Sequence, residues 1–132
     1  MKNISILSLL AVFVLATSFT FIQPKPWPVP DKNAKIPNPI KADAASVSAG
    51  KTLWVQHCSS CHGKTGAGDG SKAAQLKTQP EDFKKPVVQG QSDGSLFYKI
   101  AEGRDDMPAF KKKIPDQEDI WNLVNFIRSL KK

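Results

Sequence analysis

Thiols, imidazoles and thioethers are almost missing from this chain: among 132 residues there are two cysteines, two histidines and two methionines. Each scarcity excludes a chemistry. A structural zinc site needs ligands wrapped tetrahedrally around the ion. Here His57, Cys58, Cys61 and His62 are the only thiols and imidazoles, all within six residues, and cannot enclose a metal between them. A nucleophilic cysteine needs a histidine brought from elsewhere in the fold, and none exists. A disulfide between Cys58 and Cys61 would close too short a loop to stabilise much. With no further cysteine, a lipid-modified N-terminal cysteine is excluded too. Strand alternation is also absent, so the C-x-x-C pair lacks the βαβ setting of a thioredoxin-like redox site. No internal repeat is visible.

Long apolar runs are confined to one place. After Met1-Lys2-Asn3, residues 4–22 carry no charge. Two readings stand: a cleaved secretory signal, with Ala16 or Ser18 at the cleavage region, and a retained membrane anchor of nearly spanning length. Either way the chain is expected to be exported, to the periplasm or the outer face of the cytoplasmic membrane. Lys2 is the one charge in residues 1–22, so of 19 basic and 12 acidic side chains the remainder keeps 18 and 12, a net of +6. That balance suits an acidic partner or surface. Export argues against nucleic acid, and the basic residues do not line one helix.

Residues 23–45 read as a tether. Six of the ten prolines fall there, in PKPWPVP and IPNP. Alternating prolines favour extended polyproline II and remove backbone donors. The expectation is a spacer without packing of its own, against which only Trp27 suggests a docked strap.

Residues 46–132 are expected to form the folded domain, and they are few for a self-sufficient core. Three helices are predicted. The first is capped by Ser46 or Ser48, with Val47, Gly50, Trp54 and Cys58 on one side. The second follows Ser92-Asp93, turns Leu96, Phe97 and Ile100 inward, and stops at Gly103. The third opens at Pro115-Asp116 with acidic residues in its first turn and closes on Arg128, Lys131 and Lys132, an order that suits the helix dipole. Its Ile120, Leu123, Val124, Phe126, Ile127 and Leu130 fall in one arc. A glycine-rich loop, GKTGAGDG, and a short helical turn around residues 71–76 join the first two.

The decisive residues are Cys58-Ser59-Ser60-Cys61-His62. C-x-x-C-H is the haem c attachment signature. Each sulfur can add to one vinyl group of the haem, and a histidine directly after the second cysteine is placed as an axial iron ligand. A second axial ligand then has to be found. His57 sits on the attachment side, and Met1 goes with the leader, so elimination leaves Met107, in GRDDMPAF.

At this point the domain resembles a class I c-type cytochrome. The likeness covers most of residues 46–132. It rests on Gly50 and Trp54 ahead of Cys58, on Leu123 and Phe126 of the last helix, and on the segments CHGKTGAGDG, DGSLFYKIAEGR and MPAF. It implies an all-α cytochrome c fold, three main helices and loops wrapped round one covalent haem c, with His62/Met107 ligation and electron transfer. It also implies that the Pro80 carbonyl receives the His62 proton. With both axial positions taken, no site is open for dioxygen or peroxide, so the chain is expected to carry single electrons and not to be an enzyme. The alternatives are a fixed haem subunit of a larger oxidoreductase, and a ligand sensor or peroxidase-like protein with a labile Met107. Partners are expected to be redox proteins, met through an acidic patch facing Lys111, Lys112 and Lys113. The N-terminal apolar run would serve as a membrane tether if it is retained.

Overall fold

The computed structural model describes residues 26–131, and the apolar run at 4–22 lies outside them, as does Lys132. Among the described residues six α-helical segments follow one another: α1 (Asp31–Ala34), α2 (Ala44–His57), α3 (Ser59–His62), α4 (Pro86–Gln89), α5 (Asp93–Glu102) and α6 (Gln117–Ser129), with a 3-10 turn at Ala73–Gln75. The described residues contain no strand, only an isolated antiparallel bridge between Arg104 and Met107. The fold is all-α. Among the described residues no helix is long and apolar enough to cross a membrane.

The core is the crossing of α2 and α6. It needs a glycine: a Cβ on Gly50 would stand 2.0 Å from the Asn122 carbonyl oxygen, so the two backbones touch there. Around that point Trp54, Ile120, Leu123 and Val124 are fully buried. The Trp121 ring stacks on Phe97 of α5 at 4.2 Å between centroids, which fixes the third main helix against the pair. The caps follow the expected chemistry. Ser92 accepts from the Ser95 N–H and Asp116 from the Glu118 N–H, each relieving an orphan donor of the first turn. At α2 the cap moves. Asp43, not Ser46 or Ser48, accepts from the Ser46 N–H, and the helix starts at Ala44. Ser46 is instead buried at the crossing, its hydroxyl donating to Asn122 Oδ1 at 2.7 Å and accepting from Asn125 Nδ2 at 2.7 Å.

The expectation of a free spacer fails for residues 26–43, which lie on the domain. Asn38 Nδ2 donates to Asn125 Oδ1 at 2.8 Å, and Asn125 Nδ2 returns a bond to the Ile40 carbonyl at 3.1 Å. The Ser92 hydroxyl donates to the Ala34 carbonyl at 2.6 Å. Gly94 lets this segment close on α5, since a Cβ there would lie 2.1 Å from the Asn33 carbonyl oxygen. The physical reason is that proline removes donors but leaves carbonyls, and a carbonyl-rich extended segment can be bound along its length by side-chain donors of the domain. Residues 1–22, read as signal or anchor, fall wholly among those not described.

Candidate haem site

The C-x-x-C-H residues sit where α2 breaks into α3. The last backbone bond of α2, Cys58 N–H to Trp54 O at 2.9 Å, hands over to His62 N–H on Cys58 O at 2.9 Å. The glycine-rich loop then folds back over this turn. Gly68 N–H donates to His62 O at 2.9 Å, Gly70 N–H to Cys61 O at 3.2 Å and Lys72 N–H to Ser60 O at 2.8 Å. These three donors satisfy carbonyls that a broken helix leaves open. The Trp54 indole N–H adds a fourth, to Gly63 O at 2.9 Å.

Both thiols are free. Burial, helped by the neighbouring Cys61, pushes the Cys58 thiol up to about 12, so it rests protonated and apolar. Burial lowers His62 to about 4, which keeps the imidazole neutral at ordinary pH. Phe83 and Trp54 flank its ring, at 4.9 Å and 5.7 Å between centroids. Its Nδ1 is buried and has no hydrogen-bond partner among the described residues. The Pro80 carbonyl, which the resemblance assigns to that nitrogen, packs against Gly68 instead.

A neutral imidazole beside two free thiols, with Nε2 left for a metal when Nδ1 carries the proton, suits a group that brings most of its own metal ligands. Among the described residues no cluster of three or more His, Cys, Asp or Glu could hold a bare metal ion. The donor set therefore fits a haem, whose porphyrin supplies four nitrogens, and does not fit a protein-only metal cage.

Met107 lies on another loop. It is half-buried against the core, and its backbone forms a reciprocal clasp with Arg104, bonded at 2.8 Å and 2.9 Å. Asp105 between them has φ 52°, the left-handed conformation the tight turn requires. Beyond it Phe110 is buried, its N–H donating to Ile100 O at 3.1 Å. Its ring stands 6.0 Å from that of His57, the residue before Cys58. His57 is thus half-buried, and the Met107 loop returns to the end of α2 that leads into the thiols. Sequence reading did not find Phe83, the nearest ring to His62, because it stands in an aperiodic loop.

A family model described as cytochrome c oxidase, cbb3-type, subunit III, matches residues 45–127. The chain belongs to this family of cytochromes c. The matched stretch holds the C-x-x-C-H turn, the Met107 loop and the whole α2/α6 crossing. Haem and electron transport come with the family. A quinohemoprotein alcohol dehydrogenase, ADH IIB of Pseudomonas putida, is 38% identical over 71 residues, 51% of this chain. The cytochrome spans only 10% of that relative's length. A chain of the Kuenenia stuttgartiensis reducing HAO-like protein complex superposes with a TM-score of 0.66 at 25% identity, over 83% of this chain and 52% of that one.

Proposed function

We propose that this cytochrome carries one haem c and passes single electrons. Cys58 and Cys61 would hold the haem through thioether links, and His62 and Met107 would bind its iron. When bound, the haem supplies a one-electron iron couple. The observation that carries the reading is the C-x-x-C-H turn itself: it sets His62, a half-buried imidazole kept neutral and walled by aromatic rings, one residue from the free Cys61 thiol. Neutral imidazole is the form that binds iron. Trp54 and Phe83 wall its ring and restrict water. A second ligand from the loop of residues 103–107 would leave no coordination position for a substrate, which suits transfer of electrons and not catalysis. The thioether of Met107 favours reduced iron and raises the potential. One haem per chain follows from one C-x-x-C-H sequence. Export to an oxidising compartment fits the apolar run at 4–22.

The direct test is the haem-loaded chain with Met107→Ala. The thioether-to-iron absorption of the oxidised form should vanish and the potential should fall. Survival of both would remove Met107 as ligand. A second reading, a haem subunit fixed in a larger oxidoreductase, is favoured by the two relatives, one a segment of a dehydrogenase and the other part of a complex. Isolation from native membranes at the mass of a complex would select it, and recovery as a free monomer would select the carrier.

A further inference from the structure

We propose that residues 26–43 are a strap that positions the Met107 loop, with Trp27 acting on it through Arg104. The inference rests on the reading of Met107 as an axial ligand. The chain of contacts is short. The Arg104 guanidinium lies 4.5 Å from the Trp27 ring centroid and donates to the Pro26 carbonyl at 2.7 Å. The Arg104 backbone makes both bonds of the clasp with Met107. Nothing but one arginine separates the strap from the residue assigned to the iron.

Trp27 is held by more than Arg104. The Lys99 ammonium is 5.4 Å from the same ring centroid and donates to Gln91 Oε1 at 2.6 Å. Two cations beside one indole repel each other, and burial together with Arg104 lowers the lysine's proton affinity. The ring's negative faces offset that repulsion, so Trp27 keeps α5 and the loop after it together. The strap delivers Trp27 because its other end is pinned, through Ser92 to the Ala34 carbonyl and through Asn38 to Asn125 on α6. The family match begins at residue 45, beyond the strap.

The loop needs such a hold. Its turn contains Gly103 at φ 65° and Asp105 at φ 52°, and a turn with two left-handed residues has other conformations open to it. Fixing the Arg104 side chain selects one of them and raises the share of chains with Met107 in place. Trp27 is a positioning residue in this sense, since it acts through Arg104.

The test uses the full haem-loaded chain with Trp27→Ala, Trp27→Phe, Arg104→Gln and Met107→Ala. It reads the rate at which the reduced protein binds carbon monoxide, which requires the sixth position to open, beside the thioether absorption and the denaturation midpoint. Trp27→Ala should speed carbon monoxide binding by roughly 2- to 30-fold, the range spanned by cation–π pairs. Trp27→Phe should recover part of the difference. Arg104→Gln cuts the same link from the other side and serves if Trp27→Ala does not fold, and the two together should be non-additive. A strap that merely stabilises the domain would lower the midpoint and leave the binding rate alone, which overturns the proposal. If Met107→Ala abolishes the absorption while the Trp27 and Arg104 variants bind carbon monoxide at the wild-type rate, the strap inference alone fails. If Met107→Ala leaves the absorption intact, the ligation reading fails and the strap inference with it.

Discussion

Gly50→Ala should be among the most damaging single-methyl changes in this domain. The added Cβ would stand 2.0 Å from the Asn122 carbonyl oxygen, 2.6 Å from its carbonyl carbon and 2.9 Å from Phe126 Cβ. Two of those atoms are backbone, which cannot swing aside as a side chain can. Ordinary contact requires about 3.5 Å, so α2 and α6 must part by roughly 1.5 Å at their crossing. A radial gap of even about 0.5–1 Å forfeits a quarter to a half of each dispersion contact, and Trp54, Leu123 and Val124 all pack at this seam. Overpacking of this kind costs about 1–3 kcal/mol. Weakening the buried Ser46–Asn122–Asn125 bonds adds about 1–3 kcal/mol. The better helix propensity of alanine returns about 1 kcal/mol. The net loss is about 3 kcal/mol, or a melting point lowered by roughly 12–24 °C for a domain of this size. Denaturant unfolding of the haem-loaded chain followed by its helical circular dichroism measures it. Lys51→Ala, on the exposed side of the same helix, is the control and should stay within about 0.5 kcal/mol. A Gly50→Ala protein as stable as that control would refute the backbone-contact argument.

Cys58→Ala with Cys61→Ala should abolish covalent haem on a denaturing gel and leave little cooperative helix, because so short a domain gains much of its apolar burial from the haem; a haem-free variant with native-like melting would contradict this. Arg128 donates to Asp93 Oδ1 at 2.7 Å and to the Gln89 carbonyl at 2.8 Å, as well as to the Gln91 carbonyl. Arg128→Met should cost about 2–3 kcal/mol in denaturant unfolding, since half-buried acceptors lose a charged donor, and a loss below about 0.5 kcal/mol would mean water replaces it. Reversing Lys112 and Lys113 should slow electron transfer to an acidic partner at low salt and flatten the salt dependence. Reversing Lys111, already paired with Glu102 at 2.6 Å, should do less, and equal effects would show that this pair does not screen it.

The helices were legible because their signals are local. Ser92 and Gly103 bound α5, and Asp116 opens α6, with a cap and a stop that need no knowledge of the rest of the chain. The α2 start was misplaced by three residues or more for a related reason. Asp43, Ser46 and Ser48 are all competent caps, and which one serves depends on where the others are wanted. Ser46 is drawn inside by Asn122 and Asn125, so Asp43 takes the helix end. The C-x-x-C-H turn was readable as five consecutive residues. Phe83 was not, because its place beside His62 depends on the loop folding back, through its N–H on Gly66 O at 2.8 Å.

The strap shows what kind of interaction composition conceals. Proline richness predicts an extended chain without internal hydrogen bonds, which the short helix α1 contradicts between Pro30 and Ile36, and it says nothing about what the carbonyls meet. The partners that hold it are side chains of the domain: Arg104 on Pro26, Ser92 on Ala34, Asn125 on Ile40. One trace of this was present in α6. Asn122 and Asn125 sit within its buried run, at 7% and 4% exposure, where a helix packed only on apolar neighbours would carry Leu or Ala. A buried amide must find partners, and the nearer helix offers Ser46 alone. Asn125 therefore requires polar backbone from another segment, and the proline-rich stretch supplies it through the Ile40 and Lys41 carbonyls. Read in that direction, a polar residue out of place in the core identifies an extended segment as docked, and Trp27 then has a surface to pack on and two cations to meet.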